Sequence, residues 1–256
     1  MRDKSIYTEV EPLWLAISQP NSQACLRLFC FPYAGGTALI YRKWPDNLPS
    51  AIEVCPVQLP GRSNRLREAP FSRMQPLVEA LAKALLPRLQ KPFAFFGHSM
   101  GAAISFELAR YLQMEYGLKP VHLFVSGRPA PHVPNKIPDL YNLPDPEFLE
   151  NLRNLNGTPR EVFDNPELIQ LMMPLIRADF EINHTYVCLP EPLFDIPITA
   201  FGGIQDHDVS REDLESWREY TTASFQLQMM QGDHFFINKS QALLLRLLGR
   251  ELRQYI

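Results

Sequence analysis

The sequence predicts an α/β domain with a mostly parallel central sheet flanked by helices and a helical insertion. Two observations predict it. Short apolar runs bordered by Gly and Pro alternate with helix-like stretches, and that alternation stops once, in a long proline-rich segment. The 256 residues, 46% hydrophobic and 21% charged, suit one large globular domain carrying an insertion. A chain of this length buries a core that folds without disulfides or structural metals.

The strand-like runs are Leu26–Phe31, 52–59, 93–96, 121–126, 198–201 and Phe225–Met230. Short and apolar throughout, they suit strands covered on both faces, and their alternation with helices implies parallel pairing with right-handed crossovers. Between them, 74–89 places Leu77, Val78, Leu81, Ala84, Leu85 and Leu89 near a 3.6-residue period. Segments 102–116 and 242–255 read similarly, and 213–220 reads as a shorter amphipathic helix containing Trp217. From 128 to 190 the rhythm breaks. The segment opens with Pro129, Pro131, Pro134, Pro138, Pro144 and Pro146, and helical patterns follow at 147–154 and 166–186. We expect a core of residues 1–127 and 191–256 and a helical lid insertion at 128–190, since inserted segments of this kind often cover a site.

Composition narrows the function. A formal net charge of −3 argues against nucleic acid or an anionic membrane as partner. Cys25, Cys30, Cys55 and Cys188 form no CxxC pair, so a zinc ribbon or thioredoxin-like site is not expected; reduced cysteines packed in a core are. The N-terminal segment mixes both charge signs without the apolar stretch of a secretion signal, and no apolar run reaches transmembrane length. The expectation is a cytoplasmic protein, monomeric by default.

The strongest local signal is Gly97-His98-Ser99-Met100-Gly101, directly after one apolar run and directly before a helical pattern. Gly-x-Ser-x-Gly in that context is a nucleophile elbow: a tight strand–turn–helix that strains the serine backbone and points its hydroxyl outward. Small residues are needed on either side because strand and helix approach closely. The alternative is a buried serine in an ordinary turn.

A serine nucleophile needs a base, and the base an orienting acid, in the chain order Ser, acid, His. Of six histidines, His98 lies in the elbow, His122 in a strand, His132 and His184 in the insertion, and His207 beside an acidic candidate. His234 alone follows the last apolar run, where a loop at the strand end reaches the site. For the acid, both Asp206 and Asp208 fall in the loop after 198–201; Asp206 is favoured because it sits closer to the strand end, and Val209 looks like a packing residue. Asp233 reads as a turn residue. The helix start makes the Met100 N–H one candidate oxyanion donor, and the glycine-rich Phe31-Pro32-Tyr33-Ala34-Gly35-Gly36 loop offers the Ala34 N–H as the second. With these pieces the fold expected is the α/β-hydrolase fold.

The chain also resembles the type II thioesterases that accompany polyketide, fatty-acid and non-ribosomal peptide synthases. The resemblance rests on the Phe31–Gly36 loop, on Gln58-Leu59-Pro60-Gly61-Arg62 with Arg65, on the elbow, on Ile176-Arg177-Ala178-Asp179-Phe180, and on Gly203 to Asp206, Trp217 and Gly232-Asp233-His234-Phe235. It spans about residues 25 to 240. It implies hydrolysis of acyl thioesters on the phosphopantetheine arm of a carrier protein (ACP or PCP), in trans and with no metal or redox cofactor. The second aspartate in the acid loop departs from the pattern and doubles the acid assignment. Arg62 and Arg65 are left open between a contact to the partner and an internal ion pair, and Asp179 between a lid–core hydrogen bond and a solvated position. Leu171, Met172, Met173, Leu175 and Ile176 line an acyl channel or, as helical spacing favours, form plain core.

Three rivals remain. A small-molecule carboxylesterase or lipase would use the same machinery. A non-catalytic binding module predicts a broken triad. A terminal thioesterase domain of a synthase is disfavoured by a chain that starts at Met1 without a linker-like region.

Overall fold

The computed structural model describes residues 14–16, 20–134, 139–155, 163–189 and 193–256. Pro138, the 190/191 boundary and nearly all of the N-terminal segment lie outside the described residues.

Six strands, β1 (Leu26–Phe31), β2 (Ile52–Pro56), β3 (Phe93–His98), β4 (His122–Ser126), β5 (Ile198–Gly203) and β6 (Phe225–Met230), form one sheet in the order β2-β1-β3-β4-β5-β6. Every neighbouring pair runs parallel. An isolated antiparallel bridge joins Leu15 to Val57, just past β2. The chain leaves β1 toward one edge and returns to β3 on its other side. That reversal opens a crevice at the carboxyl ends of β1 and β3, the place where sheets of this kind bind ligands.

Strand ends differ from the sequence expectation for identifiable reasons. β3 runs on through Gly97 and His98, paired with Phe31 and Ser126, although a glycine reads as a turn. β5 likewise keeps Gly202 and Gly203, paired with Met229 and Met230. β2 is shorter than 52–59 and ends at Pro56, which has no N–H to donate.

The helices in chain order are α1 (Met74–Leu85), α2 (Met100–Tyr116), α3 (Asp145–Asn154), α4 (Pro166–Thr185), α5 (Arg211–Glu215), α6 (Phe236–Lys239) and α7 (Gln241–Leu252). After α1, Leu86–Arg88 tightens into a 3-10 turn, and Ser216–Tyr220 does so after α5. α2 ends at Gly117, whose positive φ of 64° lets its N–H and that of Leu118 close back on Gln113 and Leu112. Asn165 caps α4 by accepting from the Glu167 and Leu168 N–H groups.

Alternation along the strands splits the core in two. Phe29, Phe31 and Phe95 face the side covered by α1 and α2, with Ile104, Phe106 and Trp217. Leu28, Cys30 and Phe96 face the other, with Trp44, Leu244 and Leu248. Leu140, Phe148, Leu152 and Ile176 make a third, smaller cluster between the helices of the insertion. The opening of the insertion is tied to the main body: the Trp217 indole N–H donates to the Arg128 carbonyl and the Ala130 N–H to that of Asp213. Among the described residues no helix is long and apolar enough to cross a membrane. All four cysteines are free, but only Cys30 and Cys55 are buried; Cys25, which precedes β1, is exposed, and Cys188 is half-buried.

His122 is buried on β4, its Nε2 2.9 Å from the Thr199 hydroxyl and its ring stacked on Phe124. Burial pushes its pKa down to about 4, against an ordinary 6.5. The folded state therefore resists a proton that the unfolded chain accepts. The stability contribution is complete above pH 6.5, declines as the pH falls below it, and is gone below about pH 4, a loss of about 3 kcal/mol in all. In urea titrations at pH 7 and pH 4.5, His122→Gln is expected to lose less stability between the two conditions than wild type does.

Candidate active site

Ser99 sits where β3 turns into α2, with φ 53° and ψ −115°, a backbone conformation that side chains rarely adopt. Close crossings on either side enforce it. A Cβ on Gly97 would lie 2.1 Å from the Gly101 carbonyl oxygen, and a Cβ on Gly101 would lie 2.1 Å from that of Phe31. No side chain fits either position, so α2 passes directly against β1 and β3. The Ser99 N–H donates to the Ser126 carbonyl at 2.7 Å, and the Ser99 carbonyl accepts from Ala102 at 3.0 Å.

The loops after β5 and β6 bring Asp206 and His234 together. His234 Nδ1 lies 2.8 Å from Asp206 Oδ2. The other carboxylate oxygen, Oδ1, accepts the Asp208 N–H at 2.9 Å and the Val209 N–H at 3.2 Å. The carboxylate is thus held from both ends, and its side chain is 1% exposed against 18% for the imidazole. Asp208 is exposed and supplies its backbone rather than its carboxylate to this network. Val209 is buried, and Asp233 accepts the Phe235 N–H and a Lys239 ammonium proton, as a turn residue would. The two loops touch because Gly203 allows it; a Cβ there would stand 2.4 Å from the Asp233 carbonyl oxygen.

Ser99 and His234 share the walls of two cavities. The larger, of about 320 Å³, is also lined by Arg128, Pro131, Asn183 and Tyr186. The smaller, of about 60 Å³, is lined by Tyr33, Ala34, Leu152, Ile176, Phe180 and Phe235. Of the candidate channel residues, Ile176 alone lines either of these two cavities; Leu171 is exposed, Leu175 is buried, and Met172 and Met173 pack on the insertion's own cluster.

The loop after β1 is a tight turn in which the Gly36 N–H donates to the Tyr33 carbonyl at 2.9 Å and Gly35 has φ 73°. Among the described residues the Ala34 and Met100 N–H groups donate to no protein acceptor; Ala34 lines the smaller cavity, and Met100, fully buried, directly follows Ser99, which lines both. His98 is fully buried, with Nδ1 2.8 Å from the Ser126 hydroxyl and its ring 5.2 Å from that of His234. Burial, with His234 nearby, pushes its pKa well below 6.5, so it stays neutral beside the site.

The residues left open by sequence are internally paired. Arg62 grips Asp179 with two bonds of 2.8 and 2.9 Å, both side chains buried. Arg65 pairs with Glu68, donates to the Gln58 carbonyl at 2.9 Å and stacks over Trp14. Asp179 therefore does not face solvent. Sequence reasoning missed Ser126, Gly127 and Arg128, which follow one another at the end of β4. A Cβ on Gly127 would come within 2.7 Å of His98 Cε1 and 3.4 Å of His234 Cε1, so the glycine keeps room for both rings. The available signal was position, at the carboxyl end of a central strand. Among the described residues one group of acids and imidazoles is tight enough to hold a cation: Asp206, Asp208 and His234, with ligand atoms within 4.8 Å of one another. Its His234 Nδ1 and an Asp206 oxygen are already bonded to each other.

Gly101→Ala tests whether the crossing shapes the elbow. The added methyl is expected to cost about 1–3 kcal/mol in a urea titration, as overpacking against rigid backbone does; a variant as stable as wild type would show that the crossing can relax.

Known proteins are similar to this chain along nearly its whole length. Linear gramicidin dehydrogenase LgrE of Brevibacillus parabrevis is 50% identical over 253 residues, covering 97% of this chain and 96% of that one. Gramicidin S biosynthesis protein GrsT of Aneurinibacillus migulanus is 46% identical over 240 residues, 94% of each chain. The solved structure of BorB, the type II thioesterase from the borrelidin biosynthetic cluster, superposes with a TM-score of 0.86 at 34% identity, covering 94% of this chain and 98% of that one. The word dehydrogenase in the first name finds no counterpart in the loop after β1, which reads Phe-Pro-Tyr-Ala-Gly-Gly and not the Gly-x-Gly-x-x-Gly of a dinucleotide site. The model of the thioesterase domain family matches residues 26–251, so this α/β-hydrolase chain belongs to the thioesterase domain family.

Proposed function

We propose that the protein is a serine thioesterase that frees acyl groups from the phosphopantetheine arm of a synthase's carrier protein, acting in trans on aberrant or stalled chains. The observation that carries the chemistry is the Asp206–His234 bond beside a strained Ser99, at the common wall of two cavities. The gramicidin and borrelidin biosynthetic contexts of the relatives support the carrier-bound substrate.

In this reading His234, oriented through Nδ1 by Asp206, takes the Ser99 proton on Nε2 as Oγ attacks the thioester carbon. The Met100 and Ala34 N–H groups hold the developing oxyanion. Collapse breaks the carbon–sulfur bond, and His234 returns its proton to the leaving thiolate. Water then enters, His234 removes its proton, and the tetrahedral intermediate collapses to the free acid with Ser99 restored. His98, neutral by burial, adds no positive charge next to the imidazolium that forms twice in the cycle. The two cavities give the acyl group and the pantetheine arm separate exits from Ser99. Helices α3 and α4 act as the lid, and the enzyme works as a monomer.

The test follows thiol release from acyl-loaded carrier protein, with the matching acyl-CoA and a simple oxygen ester in parallel. Faster turnover of the carrier substrate, reduced about 10³-fold or more in Ser99→Ala, is the expected result. Preference for the oxygen ester with the carrier ignored would replace this reading with a carboxylesterase.

A further inference from the structure

We infer that Asp179 is a positioning residue through which the lid helix completes the oxyanion site, so that the site is competent only while α4 is seated. This rests on the reading of Ala34 and Met100 as the oxyanion donors. The loop that carries Ala34 does not hold itself. The Gly35 N–H, turned inward by φ 73°, donates to Asp179 Oδ2 at 2.7 Å across 144 residues of chain. The same oxygen accepts from Arg62 Nη1, and that nitrogen also donates to the Gly36 carbonyl at 3.0 Å. The carboxylate thus holds the N–H of Gly35, and its guanidinium partner holds the carbonyl of Gly36. With the Gly35 N–H spent on Asp179 and the Gly36 N–H on Tyr33, the turn leaves the N–H groups of Tyr33 and Ala34 without a protein acceptor among the described residues, and of these Ala34 is the one read as the oxyanion donor.

Helix α4 places Asp179 on the face that also carries Ile176, Phe180 and Asn183, all of which line the cavities around Ser99. A displacement of α4 that widens those cavities withdraws the acceptor from Gly35 at the same time. Stability gives little reason for such a pair. Burying two charges costs heavily in desolvation, and apolar replacements of similar size are often neutral or stabilising. A geometric task accounts for it better. Entry of substrate and assembly of the oxyanion site then become opposite states of one helix, which restrains hydrolysis until the lid has closed over a bound chain.

The experiment uses the full chain with acyl-loaded carrier protein as substrate and an alkylboronic acid as a probe whose tetrahedral adduct fills the oxyanion site. Asp179→Asn removes the charge; the double variant Arg62→Met, Asp179→Leu removes the acceptor without leaving a buried charge unpaired. In folded variants kcat is expected to fall about 10–100-fold, less than the roughly 10²–10³ of an oxyanion donor removed outright, because the Ala34 N–H is misaimed and not deleted. The boronate inhibition constant should rise by a similar factor, with KM within about twofold and the pH midpoint of kcat/KM unmoved, because the Asp206–His234 pair is untouched. A role confined to stability would instead lower the melting temperature and leave boronate affinity alone, and that result in either folded variant overturns the inference. In the wild-type protein, hydrogen exchange at the Gly35 amide should slow when boronate binds; unchanged exchange also overturns it. Ser99→Ala separates the two levels. Boronate that binds wild type but not Ser99→Ala upholds the site reading whatever Asp179 does, whereas boronate that binds neither removes both.

Discussion

The site depends on backbone passing backbone at the elbow. Because Gly97 and Gly101 carry no side chain, α2 crosses β1 and β3 at distances that any Cβ would forbid. The chain between the two crossings is left with a left-handed φ at Ser99, a conformation disfavoured for any residue with a Cβ. That strain persists because the surroundings over-determine it: a parallel sheet buried on both faces below, and a 17-residue helix above. Local conformation, packing and the presentation of the hydroxyl are consequences of one steric fact.

Around this fixed point the remaining groups are held by polar contacts spanning distant parts of the chain. Asp206 and His234 come from consecutive strand ends and meet through a bond that uses one carboxylate oxygen, while the loop's own N–H groups occupy the other. Asp179 and Arg62 do the equivalent for the turn after β1, one from the insertion and one from the main body. The sheet supplies rigidity, and these networks supply aim. Buried polar networks of this kind are costly when one partner is lost, which makes each a sensitive point for function as well as for folding.

Much of the fold was legible because the central strands are apolar on both faces and cannot be mistaken for amphipathic surface elements. Their ends were not. Gly97, Gly202 and Gly203 continue strands that local rules would stop, since the need for close approach there is set by elements far along the chain. At the site, Ser99 stood out by motif and His234 by chain order, and the structure puts both on the same cavities. Asp206 and Asp208 lie two residues apart in one loop, and spacing alone could only favour one of them; the hydrogen bond to the imidazole is a fact of side-chain direction. The Arg62–Asp179 pair was open for the same reason. Partners 117 residues apart leave no period, and an aspartate on a helix reads as solvated until its neighbours are placed. The cysteine expectation failed at Cys25, because adjacency to a strand does not imply burial, and held only in part at Cys188, which is half-buried against the main core.

The most direct test of the account is to locate the acyl-enzyme. Mixing the protein with acyl-loaded carrier protein, quenching in acid within the first turnover and mapping peptides by mass spectrometry would find the atom that attacks. The account predicts an added acyl mass on the peptide containing Ser99, absent from Ser99→Ala protein. An acyl group on another residue, or turnover that persists undiminished without Ser99, would contradict it.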